Sequence, residues 1–148
     1  MGGKKLSYRV RPFERRDFKQ LVALDDVVLE RDGTGGFFAW GAEGLAHAFV
    51  AEKAGRVVGY AAVSTPSSHG CGSLFYAVHP DHRNAGVGRL LVNAAVRAAL
   101  AAGMPSVEAL TSRPAGAVKR FVGREFGASC KETPSGNRIR FHLRGSLE

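Results

Sequence analysis

Residues 78–91 read Val-His-Pro-Asp-His-Arg-Asn-Ala-Gly-Val-Gly-Arg-Leu-Leu, and this run constrains the chain more than any other. The preceding SLFYAV, 73–78, predicts a strand closed by His79-Pro80. Positions 89–102 are alanine-rich, with Leu90, Leu91, Ala94, Ala95, Ala98 and Ala99 on one stripe, which predicts a helix that Gly103 stops. Gly86 and Gly88 therefore fall between a strand and a long helix. Glycine there lets backbone N–H groups approach a ligand closely and adopt turn dihedrals closed to other residues. The unpaired N–H groups of a helix start, with the helix dipole, suit an anion. Arg83 and Arg89 flank the loop and can add charge-assisted hydrogen bonds to phosphate oxygens. The residues alone point to a diphosphate-binding loop.

Two common versions of such a loop are excluded. A Walker A loop needs Gly-Lys-Ser/Thr, and here Arg89-Leu90 follows Gly88. A dinucleotide fingerprint needs a third glycine where Leu91 stands, in a loop after the first strand. This loop follows what we count as the fourth. The others are 6–12, where Tyr8 and Val10 alternate with Arg9 and Arg11, and a hairpin of 49–53 and 56–64 around Ala54-Gly55. Helical spacing of Phe18, Leu21, Val22, Leu24 and Val28 predicts a helix within 14–29, with Asp17 suiting its dipole, and 30–36 reads as a loop. The aromatic patch Phe37, Phe38 and Trp40 follows. Later, 107–111 predicts a strand, 115–126 a helix and 137–143 a strand. Adjacent strands early and a β-α-β unit late predict one mixed α/β domain over 1–148, with 145–148 read as a tag-derived tail.

Composition narrows the function classes. With 148 residues, 45% hydrophobic and 23% charged, the chain is an ordinary globular domain. No uncharged apolar span is long enough for a membrane helix, and no apolar stretch near the start resembles a signal peptide. The two cysteines, Cys71 and Cys130, form no framework, so a reducing, cytoplasmic setting is expected. The net charge of +8 favours anionic partners, a nucleic acid or a polyphosphate-bearing cofactor among them. We find no helix-turn-helix, RNA-binding aromatic motif or zinc spacing, and Arg138, Arg140 and Arg144 read as a solvated strand face, so no nucleic acid is expected. His79-x-x-His82 is too short for a helical metal pair and lacks further ligands, so no metal is expected.

The loop in its context resembles the GNAT superfamily of acyl-coenzyme A-dependent N-acyltransferases. That family's hallmark is Q/R-x-x-G-x-G/A at a helix start, after a strand ending in V-x-P. Arg83 to Gly88 supplies the first and Val78 to Pro80 the second. The resemblance implies a central sheet of about six to seven strands with flanking helices, and a splayed gap between the fourth and fifth strands. It implies acetyl-coenzyme A as co-substrate, its pyrophosphate on Arg83, Asn84, Ala85, Gly86, Val87, Gly88 and Arg89. The pantetheine arm would run beside Tyr76, Ala77 and Val78, with a backbone N–H near Ala77 or Val78 polarising the thioester as an oxyanion hole does. The implied reaction is direct attack by a primary amine in a ternary complex.

An alkylammonium with a pKa near ~10 must lose a proton before it attacks, so a base or water chain is needed. Glu108, on the expected fifth strand beside the gap, is the first candidate, against the reading of an exposed strand carboxylate. Tyr76 and Ser73 follow as further candidates, with Cys71 and His69 weaker. The family's usual last helix, N-x-x-A-x-x-L-Y-x-x-x-G-F, carries a tyrosine that protonates the departing thiolate. Here Ala115, Val118, Phe121 and Val122 stand in that register, followed by Phe126-Gly127, so both the asparagine and the tyrosine are missing. This departure keeps a non-catalytic acyl-coenzyme A-binding or regulatory domain open as the alternative. Asp25, Asp26, Glu30 and Asp32 form an acidic cluster that either attracts a cationic acceptor or is a solvated helix face. The acceptor's identity, the acyl length and homodimerisation stay open.

Overall fold

A computed structural model describes residues 8–32, 45–65, 71–82, 85–110, 129–132 and 138–142. Five strands, β1 (Arg9–Pro12), β2 (Leu45–Lys53), β3 (Arg56–Ser64), β4 (Cys71–Val78) and β5 (Ser106–Leu110), and two helices, α1 (Phe18–Asp32) and α2 (Val87–Ala101), build a mixed α/β domain. β1 to β4 are antiparallel neighbours, and β5 lies parallel to β4. Two short strands extend this edge: β7 (Arg138–His142) pairs antiparallel with β5, and β6 (Ser129–Glu132) with β7.

The β2–β3 hairpin closes through Ala54 (φ 54°) and Gly55 (φ 80°), the left-handed pair that a two-residue turn requires. A bulge follows, because Ala51 faces Gly59 while Glu52 faces Val57. The extra residue, Val58, joins the α2-side core, while Tyr60 and Ala62 belong to the α1 side. Residues 58–63 are all buried, so β3 is an interior strand with a layer on each face. On one face α2 buries Val87, Leu91, Val92, Ala95, Val96 and Ala99. On the other, α1 buries Leu21, Leu24 and Val28 against Val50, Tyr60, Ala62 and Ala77.

Both helices begin differently from the sequence expectation. α2 starts at Val87, because Gly86 takes a left-handed conformation (φ 85°) as its N-cap. Its end follows a Schellman pattern: the N–H of Gly103 (φ 83°) donates to Leu100 O at 3.0 Å and that of Met104 to Ala99 O at 3.0 Å. α1 is preceded by a 3₁₀ turn, Arg15–Asp17, and runs to Asp32, three residues into the segment expected to be loop. Asp17 does more than complement a dipole. It is buried, accepts two hydrogen bonds from Arg11 at 2.8 Å each, and accepts a third from the Glu14 N–H at 2.8 Å. Arg11 also reaches Glu52 at 3.2 Å, so this ion network ties β1 and β2 to the start of α1.

β4 positions the site. Its pairing with β3 runs from Val63↔Leu74 to Gly59↔Val78. Its parallel pairing with β5 runs from Cys71↔Ser106 to Leu74↔Ala109. Among the described residues, then, Leu74 is the last β4 position laddered on both sides. The expected helix at 115–126, with Val122, and the aromatic patch at 37–40 lie outside the described residues.

Candidate functional site

The polypeptide leaves the end of β4 and re-enters regular structure at the N-terminus of α2. His79 is tied to β3 by its N–H, which donates to Val58 O at 2.8 Å. A 3₁₀ turn, Pro80–His82, follows, closed by the His82 N–H on His79 O at 2.9 Å and by the Asp81 N–H on His79 Nδ1 at 3.1 Å. Arg83 and Asn84 lie outside the described residues. Ala85 and Gly86 are exposed, and Gly86 offers no side chain to cap α2. The first-turn N–H groups, which have no partner within a helix, are therefore met by no N-cap side chain.

The two glycines have different physical reasons. Gly86 is needed for its backbone, since at φ 85° a side chain is strained although a Cβ would find nothing within 4 Å. Gly88 has no such reason. It lies in the first turn of α2, its φ is not left-handed, and among the described residues a Cβ would meet only Val78 Cγ2 at 3.8 Å, ordinary contact. A helix prefers alanine to glycine by ~1 kcal/mol, so the fold alone favours a side chain here. The bare position leaves a cradle beside Val78, which fits a group approaching the helix start. Arg89, exposed on the same turn, adds positive charge.

Backbone directions along β4 follow from its two ends. The N–H of Ser73 donates to Ser64 Oγ at 2.9 Å and that of His79 to Val58 O, both towards β3. Successive N–H groups of a strand alternate sides, so those of Tyr76 and Val78 are directed away from β3 and that of Ala77 towards it.

Of the acid–base candidates, the register brings Ser73 and Glu108 side by side, and Arg140 of β7 is the partner of Glu108 across the other ladder. Tyr76 is not brought to them. It is three residues further along β4, roughly 10 Å at strand rise, and packs with the α2-side core. The structure thus puts Ser73 and Tyr76 on opposite faces of the sheet.

The acidic cluster is also divided. Asp26 is exposed, but Asp25 is 2% exposed and accepts a hydrogen bond from Tyr60 Oη at 2.6 Å. Burial, with the neighbouring carboxylate, pushes the Tyr60 phenol far above its ordinary pKa, so Tyr60 remains a neutral donor. Sequence reasoning missed this pair. A signal existed: Asp25 stands four residues after Leu21 and three before Val28, on the apolar stripe. Among the described residues no group of three or more His, Cys, Asp or Glu could hold a metal ion, and no described helix is long and apolar enough to cross a membrane.

A family model described as the acetyltransferase (GNAT) family matches residues 9–127, and the chain belongs to that family. A search of functionally curated proteins returns no match. Among solved structures, a GNAT family acetyltransferase from Brucella melitensis in complex with acetyl-CoA is similar at 17% identity. It covers 97% of this chain and 100% of that one, with a TM-score of 0.67. A GNAT family N-acetyltransferase from Escherichia coli in complex with CoA shares 18% identity over 97% of this chain and 84% of that one, with a TM-score of 0.72. One from Staphylococcus aureus shares 11% over 93% and 99%, with a TM-score of 0.70. At these identities the likeness is one of fold.

Proposed function

We propose that this chain is an N-acetyltransferase that moves an acetyl group from acetyl-coenzyme A to a primary amine in a ternary complex. The observation that carries the reading is the start of α2. A left-handed Gly86 and a Gly88 that the described fold does not require, the two glycines of the R-x-x-G-x-G motif, leave backbone N–H groups open to close approach. In this reading residues 83–89 hold the diphosphate, with the Arg83 and Arg89 guanidinium groups neutralising it. Among the described residues the β4–β5 ladder runs to Leu74; in this reading β4 beyond that point lines a splayed gap and takes the pantetheine arm along Tyr76, Ala77 and Val78. The Val78 N–H, directed away from β3, supplies the hydrogen bond that polarises the thioester.

Acetyl-coenzyme A supplies an activated acyl group: the amine nitrogen forms the new C–N bond, the C–S bond breaks, and the thiol leaves. The chain's own residues manage protons. Glu108, in register with Ser73, takes the ammonium proton directly or through water, and Ser73 is placed to join that path. Tyr76, on the other face, lies beside the arm. The sulfur is a tolerable leaving group near pKa ~8.5, so the reaction does not depend on the tyrosine that Val122 replaces.

The absence of that tyrosine favours a second reading, a non-catalytic acyl-coenzyme A-binding domain in a cytoplasmic protein. An amine-panel assay with free-thiol detection separates the two. Thiol release stoichiometric with acetylated amine supports catalysis, and tight acetyl-coenzyme A binding with no release above the uncatalysed rate supports the binding domain.

A further inference from the structure

We infer that Tyr8 and His82 are positioning residues for the diphosphate loop, an inference that rests on the acyl-coenzyme A reading above. Among the described residues, the bonds that close the turn before the loop are local to β3, β4 and the turn itself, and a further bond reaches across the fold. Tyr8 Oη lies 3.0 Å from His82 Nδ1, joining residues 74 apart in sequence. Tyr8 immediately precedes β1, and the β1–β2 register brings it to the Lys53 end of β2. Lys53 Nζ stands 4.9 Å from the centre of the Tyr8 ring, which holds the ring from its face. The His82 ring meets Tyr8 edge-on at 5.8 Å and His79 edge-on at 5.8 Å. His82 is thus gripped from the outer strand and from the end of β4.

The consequence concerns the loop that starts one residue later. His82 holds the near end of the loop, and the buried Val87 anchors the start of α2 at its far end. Backbone N–H groups bind a diphosphate well only if they are held in the bound arrangement beforehand; otherwise the ordering cost is subtracted from the affinity. With Nδ1 engaged by the phenol, the imidazole cannot swivel, and the backbone of residue 82 holds the first end of the loop. Tyr8 acts through His82 and touches no ligand itself.

The test is calorimetric affinity for coenzyme A and for pantetheine, which lacks the diphosphate. Tyr8→Phe should weaken coenzyme A about fivefold, the worth of one hydrogen bond, and leave pantetheine unchanged. His82→Asn keeps a hydrogen-bonding amide, with both an acceptor and a donor, near the position of Nδ1 and should stay within about twofold of the parent, whereas His82→Ala should match Tyr8→Phe. Adding Tyr8→Phe to His82→Ala should cost nothing further. Unchanged coenzyme A affinity in Tyr8→Phe, equal losses for both ligands, or His82→Asn as weak as His82→Ala would each overturn the inference. Should Tyr8→Phe fail to fold, the two His82 variants decide alone. A parent protein that binds no coenzyme A overturns the underlying reading instead, a result distinct from all of these.

Discussion

Gly59→Ala is a small change with a calculable consequence. Gly59 stands opposite Val78 in the β3–β4 ladder, beneath Leu91 of α2. A Cβ there would lie 2.9 Å from Leu91 Cδ1, 3.0 Å from Ala77 O and 3.5 Å from the Val78 Cα. Leu91 is fully buried and has little room to turn away, and Ala77 O belongs to the strand backbone and cannot turn at all. Overpacking of this kind costs ~1–3 kcal/mol. The reduced freedom of the unfolded chain returns only ~0.4–1 kcal/mol. Steric strain therefore wins, with a net loss of about 1–2 kcal/mol. In urea the midpoint should fall by about 0.5–1 M at unchanged slope. Leu91→Val removes one of the pressed atoms, so the double variant should be more stable than the sum of the single losses by about 0.5–1 kcal/mol. A Gly59→Ala protein as stable as the parent, or strict additivity with Leu91→Val, would refute this account of how closely α2 packs on the end of β4.

Three further outcomes follow from the same geometry. Gly103→Ala places a Cβ at φ 83° in open space, so it should cost ~1 kcal/mol from backbone strain alone, read by thermal unfolding, and Gly103→Asn should cost less. Asp25→Ala leaves the buried Tyr60 hydroxyl without this acceptor and should destabilise by ~1–3 kcal/mol, with Tyr60→Phe in the Asp25→Ala background recovering part of the loss in a denaturant series. The Arg11 guanidinium holds the Asp17 carboxyl below its ordinary pKa, so this contribution to stability is present above about pH 4 and is lost as pH falls through the depressed value. Asp17→Asn should flatten the acid limb of a stability–pH curve, and an unchanged limb would contradict the pairing.

What the sequence made legible was whatever depends on neighbours along the chain. The stripe from Leu91 to Ala99 and the stop at Gly103 gave α2, and the run to Val78 gave the end of β4. The glycine loop between them was readable for the same reason. Features set by distant partners were not. In the sequence Asp17 reads as a dipole residue, because its ion partner Arg11 lies on β1 and the network's far end, Glu52, on β2. Asp25 reads with its acidic neighbours by residue type, while its place on the apolar stripe points to the buried Tyr60 partner. β6, Ser-Cys-Lys-Glu, has no alternation of its own and is a strand through its pairing with β7. β2 begins at Leu45 rather than 49, because His47 interrupts the apolar pattern while its backbone still pairs with Val63. The Tyr8–His82 bond joins opposite ends of the sequence range that builds the loop and leaves no local trace.

Titration of acetyl-coenzyme A into the parent, Gly88→Ala and Gly88→Leu proteins tests the central claim most directly. Among the described residues the fold has room for a Cβ at position 88, with only Val78 Cγ2 at 3.8 Å, and both replacements are better helix formers than glycine. Each variant should therefore unfold no earlier than the parent. If the diphosphate sits on the first turn of α2, Gly88→Ala should still bind, as the family pattern allows, and Gly88→Leu should lose at least about tenfold in affinity, or ~1.4 kcal/mol. A folded Gly88→Leu protein that binds acetyl-coenzyme A as tightly as the parent would contradict the assignment of this site.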